Sequence, residues 1–179
     1  MMPPALHDPS RFSFVPTLEA AFAAIRAELL ALDAAAFVES PDSLSTVEGG
    51  YDERGWHWFA LVGGGDCEAN RARCPATAAA LAAVPGLVNA GFSRFAPGTH
   101  LYPHRGEMVG VLRCHLPLLV PPGRVGMGFG EAVVTWTEGR CLVFDDTFEH
   151  EAWNHADRDR VVLLATFAWP AEGAQPPTR

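Results

Sequence analysis

Three short apolar runs, from which the fold can be predicted, are LVNAGFSRF at residues 87–95, MVGVLRCHLPLLV at 108–120 and RVGMGF at 124–129. Glycine and proline separate them from four further runs, at residues 132–136, 141–144, 150–154 and 160–168. Runs of this length and spacing are typical of an all-β sandwich or barrel rather than of alternating βαβ units. We therefore predict a jelly roll over about 87–168.

The residues before this stretch favour helices. Apolar side chains recur at helical spacing over residues 17–33, and Thr17 is placed to cap that helix. A second, alanine-rich helix is predicted over 76–84, because a proline precedes it and Pro85-Gly86 ends it. Between the two, residues 56–62 (WHWFALV) favour a strand that three glycines end.

We predict a single domain over the whole 179-residue chain, mainly β, with N-terminal α-helices packed on the sheet. Residues 1–86 would hold those helices, an extended arm over 1–15, a long loop at 34–55 and the first strand. The jelly-roll core would occupy 87–170, and residues 171–179 would form a disordered tail.

Composition narrows the function classes. Thirteen arginines and no lysine stand against 21 acidic residues, so the net charge is −8 and a nucleic acid partner is disfavoured. No apolar run approaches the roughly 20 residues of a membrane helix, and the first residues lack the pattern of a secretory signal. We therefore expect a cytoplasmic protein without a membrane span, and leave its oligomeric state open. The four cysteines form no CxxC pair and are predicted to be reduced thiols that fill the core.

Two motifs each carry one histidine at the edge of a strand-like run. The first is YPHRG at 102–106 with His104, and the second is FDDTFEHEAW at 144–153 with His150. A jelly roll can bring two such edges together, and neutral imidazole is a ligand for iron, zinc, copper or nickel. Hydrogen-bonded histidines at the surface or in the core are an equally good interpretation of these residues alone.

A metal site of this kind usually has a third protein ligand. Non-haem iron sites commonly supply it through a His-x-Asp or His-x-Glu pair, but here Arg105 and Gly106 follow His104. Either the two histidines bind no metal, or water or an anion occupies the third protein position.

Basic residues in the predicted sheet indicate a second ligand. Arg113 and His115 are two residues apart in one strand, so their side chains share a face, and Arg160 begins the last strand. A buried arginine requires an anionic partner, which is either a bound carboxylate or a structural salt bridge. The candidate partners for such a salt bridge are Asp145, Asp146 and Asp157.

Taken in order along residues 90–170, these motifs resemble those of the aspartyl/asparaginyl β-hydroxylase family. The PHxG and FDDxFEHExW motifs carry the resemblance, together with Arg113, His115 and Arg160. It implies a double-stranded β-helix, which is a cupin-like jelly roll, and an Fe(II)- and 2-oxoglutarate-dependent oxygenase that uses O2. Members of the family hydroxylate aspartyl or asparaginyl side chains, and bacterial relatives act on other substrates.

The resemblance also implies a role for each matching residue. His104 and His150 correspond to the iron-binding histidines, and Gly106 corresponds to a glycine that hydroxylases of the family share. The positions that correspond to 2-oxoglutarate-binding residues are Ser93, Arg113, His115 and Arg160. Arg105 departs from the pattern and is our candidate for substrate binding. The substrate is open: an amino acid, another small metabolite, a peptide, or a group carried by a carrier protein.

Around this site we expect apolar walls that keep water from the reaction, although plain core packing also explains the same residues. They are Phe95, Leu116, Phe144 and Trp153. The mouth of the site is expected in the loops at 34–55, 105–110 and 121–131. Three alternatives to a hydroxylase stay open: a halogenase on the same fold, a non-catalytic cupin-like module that binds metal or 2-oxoglutarate, and a metal-dependent hydrolase or isomerase.

Overall fold

The computed structural model describes residues 5–40 and 55–169. The helices are α1 (Val15–Ala20), α2 (Phe22–Leu30), α3 (Cys67–Arg73) and α4 (Pro75–Leu81), with 3-10 turns at Pro9–Arg11 and Ala34–Ala36. The strands are β1 (Leu6–His7), β2 (Val38–Glu39), β3 (Trp56–Val62), β4 (Leu87–Phe95), β5 (Thr99–His104), β6 (Val111–Leu119), β7 (Val125–Phe129), β8 (Ala132–Val134), β9 (Leu142–Phe144), β10 (His150–Asn154) and β11 (Arg160–Ala168).

The strands form two antiparallel sheets. The large sheet has seven strands in the order β1-β9-β6-β11-β4-β3-β2, and the small sheet has four in the order β5-β10-β7-β8. Side chains from both sheets, among them Phe95, Met127 and Phe144, pack into one buried cluster between them. This arrangement confirms the predicted class, a mainly β jelly roll with two facing sheets.

The helices cover the outer face of the large sheet. On β6, Leu112 and Cys114 pack in one core cluster with Ile25 of α2. Because side chains alternate along a strand, Arg113 and His115 on the same strand point the other way, toward the small sheet. The N-terminal helices therefore pack on the sheet as predicted, and polar residues of β6 are left on the inner face.

The predicted helix over 17–33 is wrong in its continuity and its cap. The structure has two helices with a junction at Ala21, where ψ is −3°, well away from the α-helical value. Thr17 lies inside α1, which begins after Phe14 and has no side-chain cap. Helix α3 was outside the sequence prediction because its residues are polar. It is attached to β3 by hydrogen bonds from the side chains of Asn70 and Arg71 to backbone carbonyls.

The extended arm over 1–15 is also wrong from residue 5 onward. Strand β1 pairs with β9 at the edge of the large sheet. Phe12 and Phe14 are buried, and the Phe14 ring meets that of Phe167 edge to face at a centroid distance of 5.0 Å. Apolar burial thus holds in place a segment that was predicted as an extended arm because of its prolines.

Four predicted strands, at 56–62, 87–95, 150–154 and 160–168, coincide with β3, β4, β10 and β11. The other predicted runs are shorter in the structure than in the sequence prediction. Strand β5 was not predicted, because its sequence is rich in polar residues and contains a proline. The two-residue β2 falls in the predicted loop at 34–55; the rest of that loop after residue 40, up to residue 54, and the predicted tail at 171–179 lie outside the described residues.

The four cysteines are free thiols, and Cys74, Cys114 and Cys141 are buried, which confirms their prediction as core residues; Cys67 is only half-buried. Within residues 5–40 and 55–169, no helix combines the length and the apolarity needed to cross a membrane.

Candidate active site

The histidines of the two motifs face each other across adjacent strands of the small sheet. His104 ends β5, His150 begins β10, and the two are direct partners in the antiparallel register. Their ring centroids are 4.2 Å apart. The next pair in the register is Ala152 with Leu101, where a regular ladder would place Tyr102, so this strand pair contains a β-bulge. His104 and Leu101 consequently line the same cavity.

Backbone carbonyls fix the orientation of both imidazole rings. Nδ1 of His104 lies 2.7 Å from the carbonyl oxygen of Tyr102, and Nδ1 of His150 lies 2.9 Å from that of Phe148. A carbonyl only accepts, so each Nδ1 carries a proton, and the neutral ring has its lone pair on Nε2. Burial, followed by the neighbouring His104, lowers the pKa of His150 to about 4, which keeps that ring neutral. Histidines that bind metals commonly have this arrangement.

The carboxyl group of Asp146 occupies the space next to Gly106. The Gly106 amide donates to the Asp146 carbonyl oxygen at 2.7 Å, and a Cβ at position 106 would overlap the Asp146 carboxyl. Oδ2 of Asp146 accepts from Nε of Arg113 at 2.7 Å, whereas its buried Oδ1 has no hydrogen-bond partner among the described residues. Over residues 5–40 and 55–169, no group of three or more His, Cys, Asp or Glu has a geometry that could hold a metal. A glycine is thus required at position 106 because the Asp146 carboxyl occupies the space that a side chain would need.

We expect Gly106→Ala to destabilise the fold by about 1–3 kcal/mol, because the new methyl group displaces the Asp146 carboxyl and weakens its ion pair with Arg113. In an Asp146→Ala background the same substitution should cost less, since the overlap is gone. Urea unfolding of the wild type, the two single variants and the double variant measures this coupling. Additive free energies of unfolding would show that the two residues do not compete for space.

Arg160 is 1% exposed and lies between two aromatic rings. Its guanidinium carbon is 3.7 Å from the ring centroid of Phe95 and 4.7 Å from that of Trp136. Burial lowers the pKa of Arg160 to about 9, and its Nε has no hydrogen-bond partner in the described part of the chain. The ion pairs of the described residues do not include Arg160. A buried cation in this state is suited to receive an anion from solution.

The structural salt bridge that the sequence allowed for Arg160 is formed by Arg113 instead. Nε of Arg113 pairs with Asp146, and its NH1 donates to the hydroxyl of Thr166. Arg113 and His115 both line the cavity, which confirms that their side chains share the inner face of β6. The direct contacts of Arg113 therefore hold Asp146 beside Gly106.

Two tryptophans donate hydrogen bonds to the remaining predicted anion-binding residues. Nε1 of Trp136 lies 3.3 Å from Nδ1 of His115, and Nε1 of Trp56 lies 3.1 Å from Oγ of Ser93. Both acceptors are buried. Burial, followed by the charges of Arg160 and Arg113, holds the pKa of His115 well below its ordinary value, so this ring is neutral.

All the site residues predicted from the sequence line one cavity of about 360 Å³. They are Ser93, His104, Arg105, Arg113, His115, His150 and Arg160. Phe95 and Phe144 also line it, as expected of apolar walls. Leu116 and Trp153 do not: Leu116 belongs to the core under the helices, and on β10 the neighbouring Ala152 faces the cavity instead.

One side of the cavity is lined by apolar side chains that the sequence analysis did not assign to the site. We call this side the apolar limb. Its walls are Trp56, Trp58, Ala60, Val62 and Leu164. The signal was present in the alternation of WHWFALV, because Phe59 and Leu61 of the same strand pack in the core under the helices. A strand assignment alone did not say which set of side chains would face the site.

The mouth of the cavity includes Arg105, Glu107 and Met108, so the predicted loop at 105–110 contributes to it. Ser40 lines the cavity from the start of the predicted loop at 34–55. The stretch 121–131 is not a mouth loop, because its central residues, Val125–Phe129, form strand β7, of which Met127 lines the cavity.

Residues 19–170 match the family described as Aspartyl/Asparaginyl beta-hydroxylase. The chain belongs to this family. The match confirms the resemblance of the motifs, and it includes helices α2 to α4 and strands β2 to β11.

Named relatives in the family are hydroxylases. The ornithine lipid ester-linked acyl 2-hydroxylase of Rhizobium tropici is 41% identical over 172 residues, which are 93% of this chain and 61% of that protein. The human aspartyl/asparaginyl beta-hydroxylase is 40% identical over 73 residues, which are 41% of this chain and 10% of that protein. The chain thus covers less than two thirds of either relative.

Among solved structures, HygX from Streptomyces hygroscopicus, crystallised with nickel and 2-oxoglutarate bound, has the same fold. Its TM-score is 0.52 at 13% identity, over 84% of this chain and 78% of HygX. At this identity the likeness is evidence for the two-sheet jelly roll alone.

Proposed function

We propose that this member of the family is an Fe(II)- and 2-oxoglutarate-dependent dioxygenase that hydroxylates its substrate. The observation that carries the proposal is one cavity in which two facing histidines, His104 and His150, lie with a buried arginine, Arg160, that has no described anionic partner. The histidines suit a divalent metal, and the arginine suits a carboxylate. Iron, 2-oxoglutarate and O2 together supply the oxidant for an unactivated C–H bond.

In this proposal each residue has a role that follows from its contacts. His104 and His150 hold the iron through Nε2, because carbonyl contacts retain their Nδ1 protons. Arg160 binds a carboxylate of 2-oxoglutarate, with Ser93 and His115 as further donors. Arg113 lines the same space and keeps Asp146 in place. The unsatisfied Oδ1 of Asp146 is a buried polar atom that fits a cationic centre in the cavity.

For the substrate we propose an acyl chain of a lipid rather than an aspartyl side chain. The apolar limb, with Trp58, Ala60, Val62 and Leu164 among its walls, fits a hydrocarbon chain that enters from the mouth. The Rhizobium tropici relative, whose name specifies an ester-linked acyl group, supports the same choice. Arg105 at the mouth has a side chain that is 63% exposed, and it can bind an anionic group of the substrate.

Halogenation is disfavoured by the surroundings of Gly106. A halide in the place of a third ligand would need the space that the Asp146 carboxyl fills. The negative charge of that carboxyl also opposes a second anion at short distance. Neither a non-catalytic binding module nor a metal-dependent hydrolase or isomerase would form succinate, whereas the proposed dioxygenase would.

The test is a succinate-release assay with Fe(II), O2, 2-oxoglutarate and three substrate sets: acyl lipids including an ornithine lipid, aspartyl peptides, and free amino acids. We expect succinate together with an acyl product that is heavier by one oxygen atom. Val62→Trp should block the limb and lower acyl hydroxylation at least about tenfold, whereas Val133→Trp, at a position that is 63% exposed on β8, should not.

Hydroxylation of the aspartyl peptides alone would overturn the lipid assignment and keep the oxygenase. Absence of succinate with every substrate, while 2-oxoglutarate still binds, would favour the binding module. A product formed without O2 consumption would favour the hydrolase or isomerase.

A further inference from the structure

Two tryptophan indole N–H groups donate hydrogen bonds to residues that are proposed to bind 2-oxoglutarate. Trp136 donates to His115, and Trp56 donates to Ser93. We propose that Trp56 and Trp136 are positioning residues that turn Ser93 and His115 into hydrogen-bond donors, so that these two residues, together with Arg160, present donors to the ligand and select a carboxylate. The inference rests on the proposed function, because it concerns the residues assigned to the cosubstrate.

The contacts of His115 determine its tautomer. An indole nitrogen can donate but cannot accept, so the contact with Trp136 requires the lone pair of His115 to be on Nδ1. The ring is neutral because it is buried beside two arginines, and a neutral ring has one proton. That proton must therefore be on Nε2. Since His115 lines the cavity, its remaining polar atom is a donor.

Ser93 also acts as a donor toward the cavity, although its hydroxyl proton can rotate. Its oxygen accepts from Trp56 at 3.1 Å, so its own hydroxyl proton is directed elsewhere. Ser93 is 3% exposed and lines the cavity, where the O–H is available to an acceptor. Ser93 and Arg160 are connected, because NH1 of Arg160 points to the Ser93 carbonyl oxygen at 3.5 Å.

Trp136 has a second contact that fits this role. Its ring lies 4.7 Å from the Arg160 guanidinium, on which Phe95 also packs. The ring stabilises the buried cation while the N–H sets the tautomer of His115. A group of three donor side chains gains from a carboxylate, which accepts with both oxygens, and loses with an amide, whose NH2 would meet another donor.

The test uses Trp136→Phe and Trp56→Phe, which keep an aromatic ring and remove the N–H. The matched control is Trp153→Phe, because this tryptophan is on β10 and does not line the cavity. The full chain is loaded with Zn(II), a redox-inert substitute for iron. Two quantities are then measured: the ring nitrogen shifts of isotope-labelled His115, and the Kd values of 2-oxoglutarate and of its two monoamides.

In the wild type and in the control we expect His115 to be the Nε2–H tautomer and 2-oxoglutarate to bind more tightly than either monoamide. In Trp136→Phe we expect a mixture of tautomers, a Kd for 2-oxoglutarate raised about five- to tenfold, and a smaller preference over a monoamide. Trp56→Phe should raise the Kd by a similar factor without changing the tautomer of His115.

The proposal is overturned if Trp136→Phe leaves both the tautomer and the preference over the monoamides unchanged. If the wild type binds no 2-oxoglutarate at all, the proposed function is wrong, and the inference about Trp56 and Trp136 is wrong with it. Failure of the inference alone has a different signature: tight 2-oxoglutarate binding in the wild type and equal binding in both tryptophan variants.

Discussion

Arg160→Met is expected to remove 2-oxoglutarate binding while leaving the fold at least as stable as the wild type. The guanidinium is buried between Phe95 and Trp136, so its charge is desolvated, and no described carboxylate pairs with it. Replacing it by an apolar side chain of similar length should raise the free energy of unfolding, measured without ligand, by about 1–3 kcal/mol. Losing a desolvated carboxylate pair should cost ~2–4 kcal/mol of binding, which is about 30- to 1,000-fold in the 2-oxoglutarate requirement.

Two measurements check this expectation: urea unfolding with and without 2-oxoglutarate, and the dependence of succinate release on 2-oxoglutarate concentration. Arg158→Met is the control, because Arg158 is 70% exposed and only 3.7 Å from Asp157 in a weak surface pair. An unchanged requirement for 2-oxoglutarate would make Arg160 a purely structural residue. A large loss of stability without ligand would show that the buried charge is compensated.

His104→Ala and His150→Ala are expected to reduce turnover to background and to prevent stoichiometric iron binding. Both side chains lie at the ends of strands, so the free energy of unfolding should change by only about 1–2 kcal/mol. His57→Ala is a matched control. Nδ1 of His57 contacts the carbonyl of the residue two positions before it, as in both site histidines, yet His57 does not line the cavity.

Metal content after reconstitution, circular dichroism and succinate release measure these three properties separately. An iron stoichiometry and a turnover equal to the wild type in either variant would exclude that histidine as a ligand. Loss of iron in His57→Ala as well would point to a general effect on the fold.

The strands that frame the site could be predicted from the sequence, because apolar runs between glycines and prolines encode them directly. Strands β3, β4, β10 and β11 coincide with predicted runs. Strand β5, which carries His104, could not, since its polar residues and Pro103 lack the apolar signal. The pairing of β5 with β10 is a long-range property, so the strand pattern allowed His104 and His150 to meet without requiring it, and the motif resemblance decided for it.

The sequence also did not show which arginine pairs with which aspartate. Arg113 and Arg160 both appeared in strands, and several aspartates were available to either of them. The structure pairs Arg113 with Asp146, while Asp145 accepts hydrogen bonds from Thr147 in the following turn. Which of two adjacent aspartates points inward depends on the backbone at the end of β9, and a sequence pattern does not determine that geometry.

The β-bulge between β5 and β10 determines which side chains of β5 face the cavity. Leu101 and His104 are separated by three positions, so in a regular strand they would point to opposite faces. The bulge reverses that parity and places both in the cavity, with the intervening Tyr102 and Pro103 exposed. The irregular register is therefore as much a part of the site as His104 itself. If the same residues paired with β10 in a regular ladder, either Leu101 or the His104 imidazole would point away from the cavity, although no residue of the site had changed.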